Sequence, residues 1–267
     1  MAIKIALAGN PNCGKTTMFN ALTGANQYVG NWPGVTVEKK EGKCKENKDT
    51  LITDLPGIYS LSPYTLEEVV SRDYLLKEKP EAIINLVDAT NIERNLYLTT
   101  QLLELGIPVV IALNMADLLE KNKISIDTKA LEKELGCKVV KTSALKGTGI
   151  REVVKEAVTA AKKESIVSGE IKFSKDTEAA VSEMEGQLPS SVLEEQKRWY
   201  AIKLLERDAK VLEQLKLTAS VQNQVEKIAA KLEERLDDDT ESIITNERYE
   251  AITYVVEKCR SEEHRVG

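Results

Sequence analysis

A glycine-rich segment, GNPNCGKT at Gly9–Thr16, lies between the apolar run IKIALAG and a stretch of helical periodicity that begins at Lys15. The segment fits the pattern G-x-x-x-x-G-K-[ST], and a preceding strand with a following helix is the context that this pattern requires. Backbone N–H groups from Asn12 to Thr16 can then surround phosphates at the start of the helix, Lys15 can reach the same phosphates, and Thr16 can ligate magnesium. A chance glycine-rich turn would not account for both flanking elements. The segment therefore predicts a phosphate-binding loop (P-loop) in an α/β fold.

Short β-rich runs alternate with helical stretches from Ala2 to about Lys163, which is typical of a sheet covered by helices. Six strands are predicted, in the runs IKIALAG, GVTVEKKEG, TLITDLPG, AIINLVDA, PVVIALN and KVVKTSA. The second and third runs are joined only by KCKENKD, which is too short for a crossover helix, so we expect an antiparallel hairpin. Helices are predicted over 15–22, 65–77, 92–105, 128–135 and 149–163, and Thr65 with Glu68 forms a capping-box pattern.

The pattern changes after Lys163, where ESIVSGEIKFSKD reads as a connector and nearly unbroken helical periodicity follows. Residues 192–207, 220–236 and 246–259 carry apolar side chains at helical spacing with charges between them. We therefore predict two domains, 1–165 and 166–267, the second being a bundle of four or five helices that starts near Ser174.

Composition excludes several classes of function. A net charge of −6 argues against nucleic acid or an anionic membrane as the main partner. The cysteines, Cys13, Cys44, Cys137 and Cys259, are far apart and His264 is the only histidine, so no metal or disulfide framework is expected. The longest uninterrupted apolar run is VVIAL, which is too short to span a bilayer. The chain as given is expected to be soluble and in a reducing compartment.

Three further motifs follow predicted strands, at the edge where ligands bind in open α/β sheets. DLPG at Asp54–Gly57 places Asp54 to hold magnesium through water and the Gly57 N–H to face a γ-phosphate. NMAD at Asn114–Asp117 follows PVVIAL, and TSAL at Thr142–Leu145 follows KVV. Alone, D-x-x-G is a common turn sequence, and NMAD and TSAL could be two polar loops. Together with the P-loop they occur in the order that one nucleotide site requires.

Asp117 is the residue that we expect to read guanine. Its carboxylate can accept hydrogen bonds from the N1–H and 2-amino groups of guanine, which adenine cannot supply. A buried acceptor left without a partner would select against adenine by roughly 10⁴. Asn114 is expected to fix the loop, and the Ala144 N–H to bind the guanine oxygen.

With these motifs in order, the first part of the chain, to about residue 165, resembles a translation-factor-type small GTPase domain. More narrowly, GNPNCGKTT, NWPGVTVE, DLPGIYSLSPY and NMAD together resemble the cytoplasmic G domain of the ferrous iron transporter B (FeoB) family. The resemblance covers essentially the whole chain, because that family adds a small helical domain, which resembles a GDP-dissociation inhibitor, and then a membrane-spanning permease. It implies an α/β P-loop GTPase domain with a six-stranded mixed sheet, a small all-α domain, and an N-terminal fragment on the cytoplasmic face of a bacterial or archaeal cell membrane.

The resemblance also assigns YVGNWPGVTVE, Tyr28–Glu38, to switch I, the loop that closes over the γ-phosphate and magnesium. Thr36 is its candidate magnesium ligand. The family further implies a potassium ion held by Asn12 and by the backbone carbonyls of Gly30 and Trp32, which would neutralise charge that develops during phosphoryl transfer. The alternative is that Trp32 only packs the loop against the domain and that Asn12 is a P-loop spacer.

Two departures from the Ras-like pattern bear on mechanism. Ile58 follows DLPG and cannot orient a water as glutamine does there, so we expect slow hydrolysis with another positioner, from switch I backbone or from Glu67 and Glu68. Met115 stands where lysine is commoner, so apolar cover over the base remains while polar contacts are lost, which predicts weaker binding and easier exchange. Cys13 is either a small buried residue or an oxidation-sensitive thiol.

The expected site residues fall into three overlapping groups. Those expected to contact the nucleotide are Gly9, Asn10, Pro11, Asn12, Cys13, Gly14, Lys15, Thr16, Thr17, Gly34, Val35, Thr36, Asp54, Gly57, Asn114, Met115, Asp117, Ser143, Ala144 and Leu145. The catalytic group comprises Lys15, Asn12, Thr36 and Gly57. The magnesium ligands are Thr16, Thr36 and Asp54, and the potassium ligands are Asn12, Gly30 and Trp32.

Three functions remain open at this point. The first is a GTP hydrolase, using GTP or GDP with Mg²⁺ and K⁺, whose switch loops regulate iron(II) uptake through an attached permease. The second is a soluble potassium-dependent GTPase of ribosome assembly or tRNA modification, although no basic patch or GXXG-type RNA loop is present. The third is a nucleotide-gated binding module with incidental turnover. The candidate partners are a guanine nucleotide, the permease and further copies of the chain, without nucleic acid.

Overall fold

The computed structural model describes residues 2–25, 27–121, 123–162 and 171–262. Its main sheet has seven strands in the order β2-β3-β4-β1-β5-β6-β8. Their bounds are β1 Ile3–Gly9, β2 Gln27–Asn31, β3 Glu38–Lys43, β4 Thr50–Asp54, β5 Ala82–Asp88, β6 Val109–Asn114 and β8 Lys138–Thr142. β4, β1, β5, β6 and β8 pair in parallel, whereas β2, β3 and β4 pair antiparallel. The mixed α/β architecture and the β3–β4 hairpin are therefore as expected.

The predicted count of six strands is wrong, because switch I contributes an edge strand, β2. The run GVTVEKKEG becomes strand only from Glu38, and β2 pairs with β3 in the register Val29↔Lys40. The two strands are joined through a β-turn at Trp32–Val35, where the Val35 N–H donates to the Trp32 carbonyl at 3.2 Å. Pro33 and Gly34 occupy the centre of this turn, and Gly34 has φ 76°, the left-handed value that such a turn favours in glycine. The Pro-Gly pair thus closes a hairpin rather than an irregular loop.

Helices cover both faces of the sheet. They are α1 Lys15–Thr23, α2 Leu66–Lys77, α3 Ile92–Leu103, α4 Ala116–Lys121, α5 Thr128–Leu135 and α6 Ile150–Ala161. One face packs on α1 and α6 through residues such as Phe19 and Val153, each fully buried. The predicted capping box is present at α2: Thr65 accepts from the Glu68 N–H, and Glu68 accepts from the Thr65 N–H. Because this cap fixes the start of α2, it sets where the segment after DLPG ends.

The helical region consists, among described residues, of α7 Lys175–Glu185, α8 Lys197–Leu205, α9 Ala209–Leu215, α10 Ala219–Leu236 and α11 Thr240–Cys259. Ser174 caps α7, so the bundle begins where the sequence predicts. Its core is continuous with the second face of the sheet, through α2 and α3. The proposed boundary between residues 165 and 166 lies outside the described residues and stays a prediction.

Two buried ion pairs join this bundle to the sheet domain. Arg72 of α2 binds Asp208 with two contacts, of 2.8 and 3.3 Å, and Arg248 of α11 binds Glu104 after α3 with contacts of 2.6 and 2.8 Å. All four side chains are at most 4% exposed. Removing one partner of such a buried pair costs about 3–5 kcal/mol because the other charge is left without compensation. The pairs therefore hold α2 and α3 against the bundle in one arrangement.

A second, two-stranded sheet pairs β7 Ile124–Ile126 with β9 Arg260–Glu262. Neither strand is among the six predicted, since each is only three residues long. Across the described ranges, no helix combines the length and the apolar character needed to cross a membrane.

Candidate nucleotide site

The P-loop connects the end of β1 to the start of α1 with a tightly folded backbone. Asn12 and Gly14 have φ values of 66° and 91°, and a turn with such left-handed residues directs several successive N–H groups toward one point. A Cβ at Gly14 would lie 2.6 Å from the Asn114 Nδ2, and one at Gly9 would lie 2.8 Å from the Cys13 Sγ. Close approaches therefore require glycine at both positions, and the left-handed backbone of the turn favours it at Gly14 as well. Thr16 and Thr17, in the first turn of α1, are exposed beside this cradle.

Lys15 and Asp54 contact each other directly. The Lys15 Nζ lies 2.6 Å from the Asp54 Oδ1, and the two side chains are 12% and 9% exposed. Burial raises the pKa of Asp54 above its ordinary value, while the Lys15 ammonium opposes that shift. An ammonium that can contact phosphate thus lies next to a carboxylate that can hold its metal ion, as the motifs predict.

The DLPG turn lies against the P-loop. A Cβ at Gly57 would lie 3.2 Å from the Pro11 Cα, and the Ile58 N–H donates to the Gly9 carbonyl at 3.2 Å. The Ile58 side chain is 2% exposed and packs in the core below the loop. It is therefore directed away from solvent, in agreement with the expectation that it orients no water.

Asn114 joins the P-loop to the loop after β8. Its Nδ2 donates to the Cys13 carbonyl and its Oδ1 accepts from the Ala144 N–H, both at 3.0 Å. The expected role of Asn114 in fixing the loops is thus visible in its contacts. The Ala144 N–H was expected to bind the guanine oxygen, but in this structure it already donates to Asn114. The hydrogen bond that holds the two loops together therefore uses the same N–H that the guanine oxygen was expected to accept from.

Asp117 lies at the start of α4, close to the 143–148 loop. Its side chain is 25% exposed and its Oδ2 lies 2.6 Å from the Nζ of Lys146. The pKa of Asp117 is lowered, chiefly by the hydrogen bond from Lys146. Asp117 was expected to be a buried acceptor, and Lys146 was not among the expected site residues. The sequence feature that could have indicated this contact is the lysine two residues after Ala144, in the loop TSALKG.

The other residues expected to contact the nucleotide differ in their surroundings. Met115 has φ 61°, and its Cε would lie 3.6 Å from a Cβ at Gly14, so its side chain lies beside the P-loop where apolar cover for a base was expected. Ser143 is buried and Leu145 is 89% exposed. Asn10 is buried at the end of β1, and its Nδ2 donates to the Arg94 carbonyl at 3.4 Å.

Cys13 is 1% exposed within the P-loop. Burial raises the pKa of its thiol to about 11, so the thiol is protonated at neutral pH. A buried, protonated thiol is poorly reactive. Its geometry therefore fits the small buried residue better than the oxidation-sensitive one.

Switch I lies partly on the sheet and partly in the Trp32–Val35 turn. The Trp32 side chain is 7% exposed and packs edge-on against Tyr74 with ring centroids 5.3 Å apart. Its carbonyl, expected to bind potassium, accepts from Val35. Thr36 is exposed, and among the described hydrogen bonds none joins it to the P-loop. The structure thus shows Trp32 packed into the core, as the alternative for this residue expects.

The two glutamates considered as water positioners differ in environment. Glu68 is buried in the capping box of α2 and also accepts from the Ser60 hydroxyl at 3.3 Å. Glu67 is exposed. The carboxylate of Glu68 is thus occupied by the cap of α2, whereas Glu67 lies exposed in the first turn of that helix.

The glycine-rich loop after β1, the carboxylate of Asp54 at the end of β4 and the NMAD motif at the end of β6 lie at one edge of the sheet, which is the arrangement found in P-loop GTPase domains. The profile described as "Ferrous iron transport protein B" matches residues 3–157, and that described as "FeoB cytosolic helical domain" matches residues 173–261. The chain therefore belongs to the ferrous iron transport protein B family.

Individual relatives agree with this assignment. The Fe(2+) transporter FeoB of Salmonella typhimurium (strain LT2) is 40% identical over 261 residues, which is 95% of this chain and 33% of that protein. The Fe(2+) transporter FeoB of Shigella flexneri is 45% identical over 77% of this chain and 27% of its own length. The chain thus spans about a third or less of these relatives.

Solved structures of S. thermophilus NFeoB are similar over nearly the whole chain. A mutant bound to mGDP is 50% identical with a TM-score of 0.93, covering 97% of this chain and 100% of that one. The form bound to GDP.AlF4- and K+ is 50% identical with a TM-score of 0.88, covering 96% of this chain and 99% of that one.

Proposed function

We propose that this chain binds GTP and GDP with Mg²⁺ and hydrolyses GTP to GDP and phosphate. The observation that carries the proposal is the convergence of Lys15, Asp54 and Asn114 on the P-loop at the carboxyl edge of one sheet. These contacts support the proposal, because they bring together an ammonium suited to phosphate, a carboxylate suited to a metal ion and the loop expected to read the base. The binding of mGDP and mGMPPNP by S. thermophilus NFeoB supports guanine nucleotide as the ligand.

The residues are proposed to have the roles expected from the sequence, except where a contact in the structure requires a change. Residues 9–17 and Gly57 hold the phosphates, while residues 114–117 and 143–145 hold the base. Thr16 and Asp54 hold Mg²⁺, which neutralises phosphate charge when bound, and Thr36 joins them if residues 34–36 of switch I leave the position seen here. The donor set fits, because hydroxyl and carboxylate oxygens are the ligands that Mg²⁺ prefers.

The reaction is proposed to be slow. Lys15 and the P-loop N–H groups stabilise the charge that develops on the transferred phosphoryl group, which is the main contribution a protein makes to this chemistry. Neither Ile58 nor Glu68 is available to orient the attacking water, because Ile58 lies in the core and Glu68 caps α2. Turnover then depends on how far switch I and Glu67 organise that water.

Potassium is proposed to assist this reaction, held by Asn12 with the carbonyls of Gly30 and Trp32. Asn12 is exposed beside the phosphate cradle, so its side chain can reach a cation there. The S. thermophilus NFeoB form bound to GDP.AlF4- and K+ supports the proposal. For the carbonyl of Trp32 to take part, its hydrogen bond from Val35 must break.

The wider role is regulation of iron(II) uptake on the cytoplasmic face of a membrane, since the relatives are Fe(2+) transporters of which this region is a part. The attached permease is the proposed partner, with homo-oligomers as a further candidate. α2 follows the DLPG segment and is bound to the helical bundle through Arg72 and Asp208. A shift of that segment on nucleotide exchange would therefore be transmitted to the bundle.

Turnover of GTP in K⁺ and in Na⁺ at equal ionic strength tests the cation assignment. We expect K⁺ to stimulate phosphate release roughly a hundred- to a thousandfold, the range for one group that stabilises transition-state charge. Asn12→Ala should lose this stimulation, while Asn223→Ala, at an exposed position of α10, should keep it. Equal rates in both cations would refute the potassium site and leave Trp32 with its packing role.

A further inference from the structure

We propose that Lys146 competes with the guanine base for the carboxylate of Asp117 and thereby lowers the affinity of the site for guanine nucleotides. The inference rests on the proposed function, because it takes Asp117 as the base reader. Its direct support is the 2.6 Å contact between the Lys146 Nζ and the Asp117 Oδ2.

The 143–148 loop holds Lys146 in reach of Asp117. The N–H and carbonyl groups of Ser143 and Thr148 exchange two hydrogen bonds, of 3.1 and 3.2 Å, which close the loop at its base. Gly147 and Gly149 have φ values of 71° and 75°, which permit the tight return of the chain. The Ala144 N–H is fixed to Asn114, three residues before Asp117. Lys146 therefore projects from a short, closed loop that is anchored to the same motif as Asp117.

Lys146 and guanine compete for the same acceptor atoms, the carboxylate oxygens of Asp117. Guanine would use both carboxylate oxygens of Asp117, through its N1–H and its 2-amino group. A lysine ammonium also needs carboxylate acceptors, because it has three donors and no acceptor. The ammonium on Oδ2 must therefore leave or move before the base can take both oxygens. The apparent affinity for nucleotide is therefore scaled down to the fraction of molecules in which Lys146 does not occupy Asp117.

The expected size of the effect is modest. The side chains of Lys146 and Asp117 are 54% and 25% exposed, so water and salt weaken their attraction. Exposed ion pairs of this kind change an equilibrium by a small factor, and we expect Lys146 to raise the Kd for GDP about two- to fivefold. Such a factor matters where nucleotide exchange has to be easy.

Two other roles for Lys146 predict different results. If the ion pair is only a solvated surface contact, removing Lys146 leaves affinity unchanged. If Lys146 instead moves onto the bound nucleotide and holds it, removing Lys146 weakens binding. Competition alone predicts that its removal tightens binding.

Lys121 offers a matched control. It lies in the last turn of α4, is exposed, and acts on Asp117 only through its charge at a distance. Lys146→Met and Lys121→Met remove the same charge and keep a similar side-chain length. A difference between them therefore isolates the direct contact.

The experiment is equilibrium binding of fluorescent mGDP to the whole chain with Mg²⁺, at fixed K⁺, with ionic strength varied by an organic salt. We expect Lys146→Met to lower the Kd about two- to fivefold at low salt, with the difference from the original chain shrinking as salt screens the ion pair. Lys121→Met should change it less, and Lys146→Arg should retain the weaker binding. An unchanged or increased Kd in Lys146→Met would overturn the proposal.

A double-mutant cycle separates this inference from the proposed function. In the Asp117→Asn background the acceptor carboxylate is gone, so Lys146→Met should no longer tighten binding of a xanthosine nucleotide. A persistent effect there would assign Lys146 a role independent of Asp117 and would contradict the competition. If the original chain fails to bind mGDP, the proposed function itself fails; if it binds and the Lys146 variants are unchanged, only the competition fails.

Discussion

Replacing Lys15 with alanine is expected to raise the Kd for GTP roughly 30- to 5,000-fold, the largest loss of triphosphate binding from any single change proposed for this site. The substitution removes the ammonium that faces the phosphates and leaves Asp54, 9% exposed and 2.6 Å away, without its partner. The unpaired carboxylate would then repel the phosphates as well. Equilibrium titration with a fluorescent GTP analogue in the presence of Mg²⁺ measures the effect.

A control for charge alone is Lys4→Ala at the opposite end of β1. Lys4 makes an exposed contact of 3.7 Å with Glu78, so its loss should leave nucleotide affinity nearly unchanged. If Lys15→Ala bound GTP as tightly as the original chain, the P-loop would have no part in triphosphate binding.

Asp117→Asn is expected to shift the preference of the site from guanine to xanthine nucleotides by roughly 10³–10⁴. Xanthine has a carbonyl oxygen where guanine has its 2-amino group, and the asparagine amide can donate to that oxygen as the aspartate cannot. The Lys146 contact would be lost in the same variant, because an amide carries no charge to hold the ammonium. Separate equilibrium titrations of each variant with GTP and with XTP, in the presence of Mg²⁺, measure the ratio.

Asp73→Asn removes a carboxylate from an exposed ion pair with Lys77 on α2 and serves as the matched control. It should leave the ratio of GTP to XTP affinity unchanged. Full retention of guanine preference by Asp117→Asn would show that another group reads the base.

Local patterns predicted most of the elements that carry this site. IKIALAG with GNPNCGKT placed the P-loop between β1 and α1, and the Thr65–Glu68 spacing placed the cap of α2 correctly. Both signals depend on residues close together in the chain, where strand and helix periodicity and capping geometry act directly.

What the sequence left open depends on contacts between distant residues. β2 was read as part of a loop, because its strand character arises from pairing with β3 across the Pro33–Gly34 turn. The Lys146–Asp117 pair and the Arg72–Asp208 pair join residues from separate elements, and charge spacing along the chain does not reveal such partners. The unexpected bond from Ala144 to Asn114 has the same origin.

The buried pairs also bear on how the two regions act together. Arg248 with Glu104 and Arg72 with Asp208 bind the bundle to α3 and α2, and the Tyr64 hydroxyl donates to Glu241 from the segment between DLPG and α2. The segment after DLPG, which we propose responds to the bound nucleotide, is therefore in direct contact with the helical region. This contact supports transmission between them without any further element.

The most direct test of the central claim is the rate of phosphate release from GTP, ATP and XTP by the purified chain with Mg²⁺ and K⁺, with and without a chelator. We expect slow but measurable release from GTP, little from ATP or XTP, and loss of the GTP signal when Mg²⁺ is removed. Release from ATP equal to that from GTP, or no release from any of the three, would contradict a guanine-specific hydrolase built on this site.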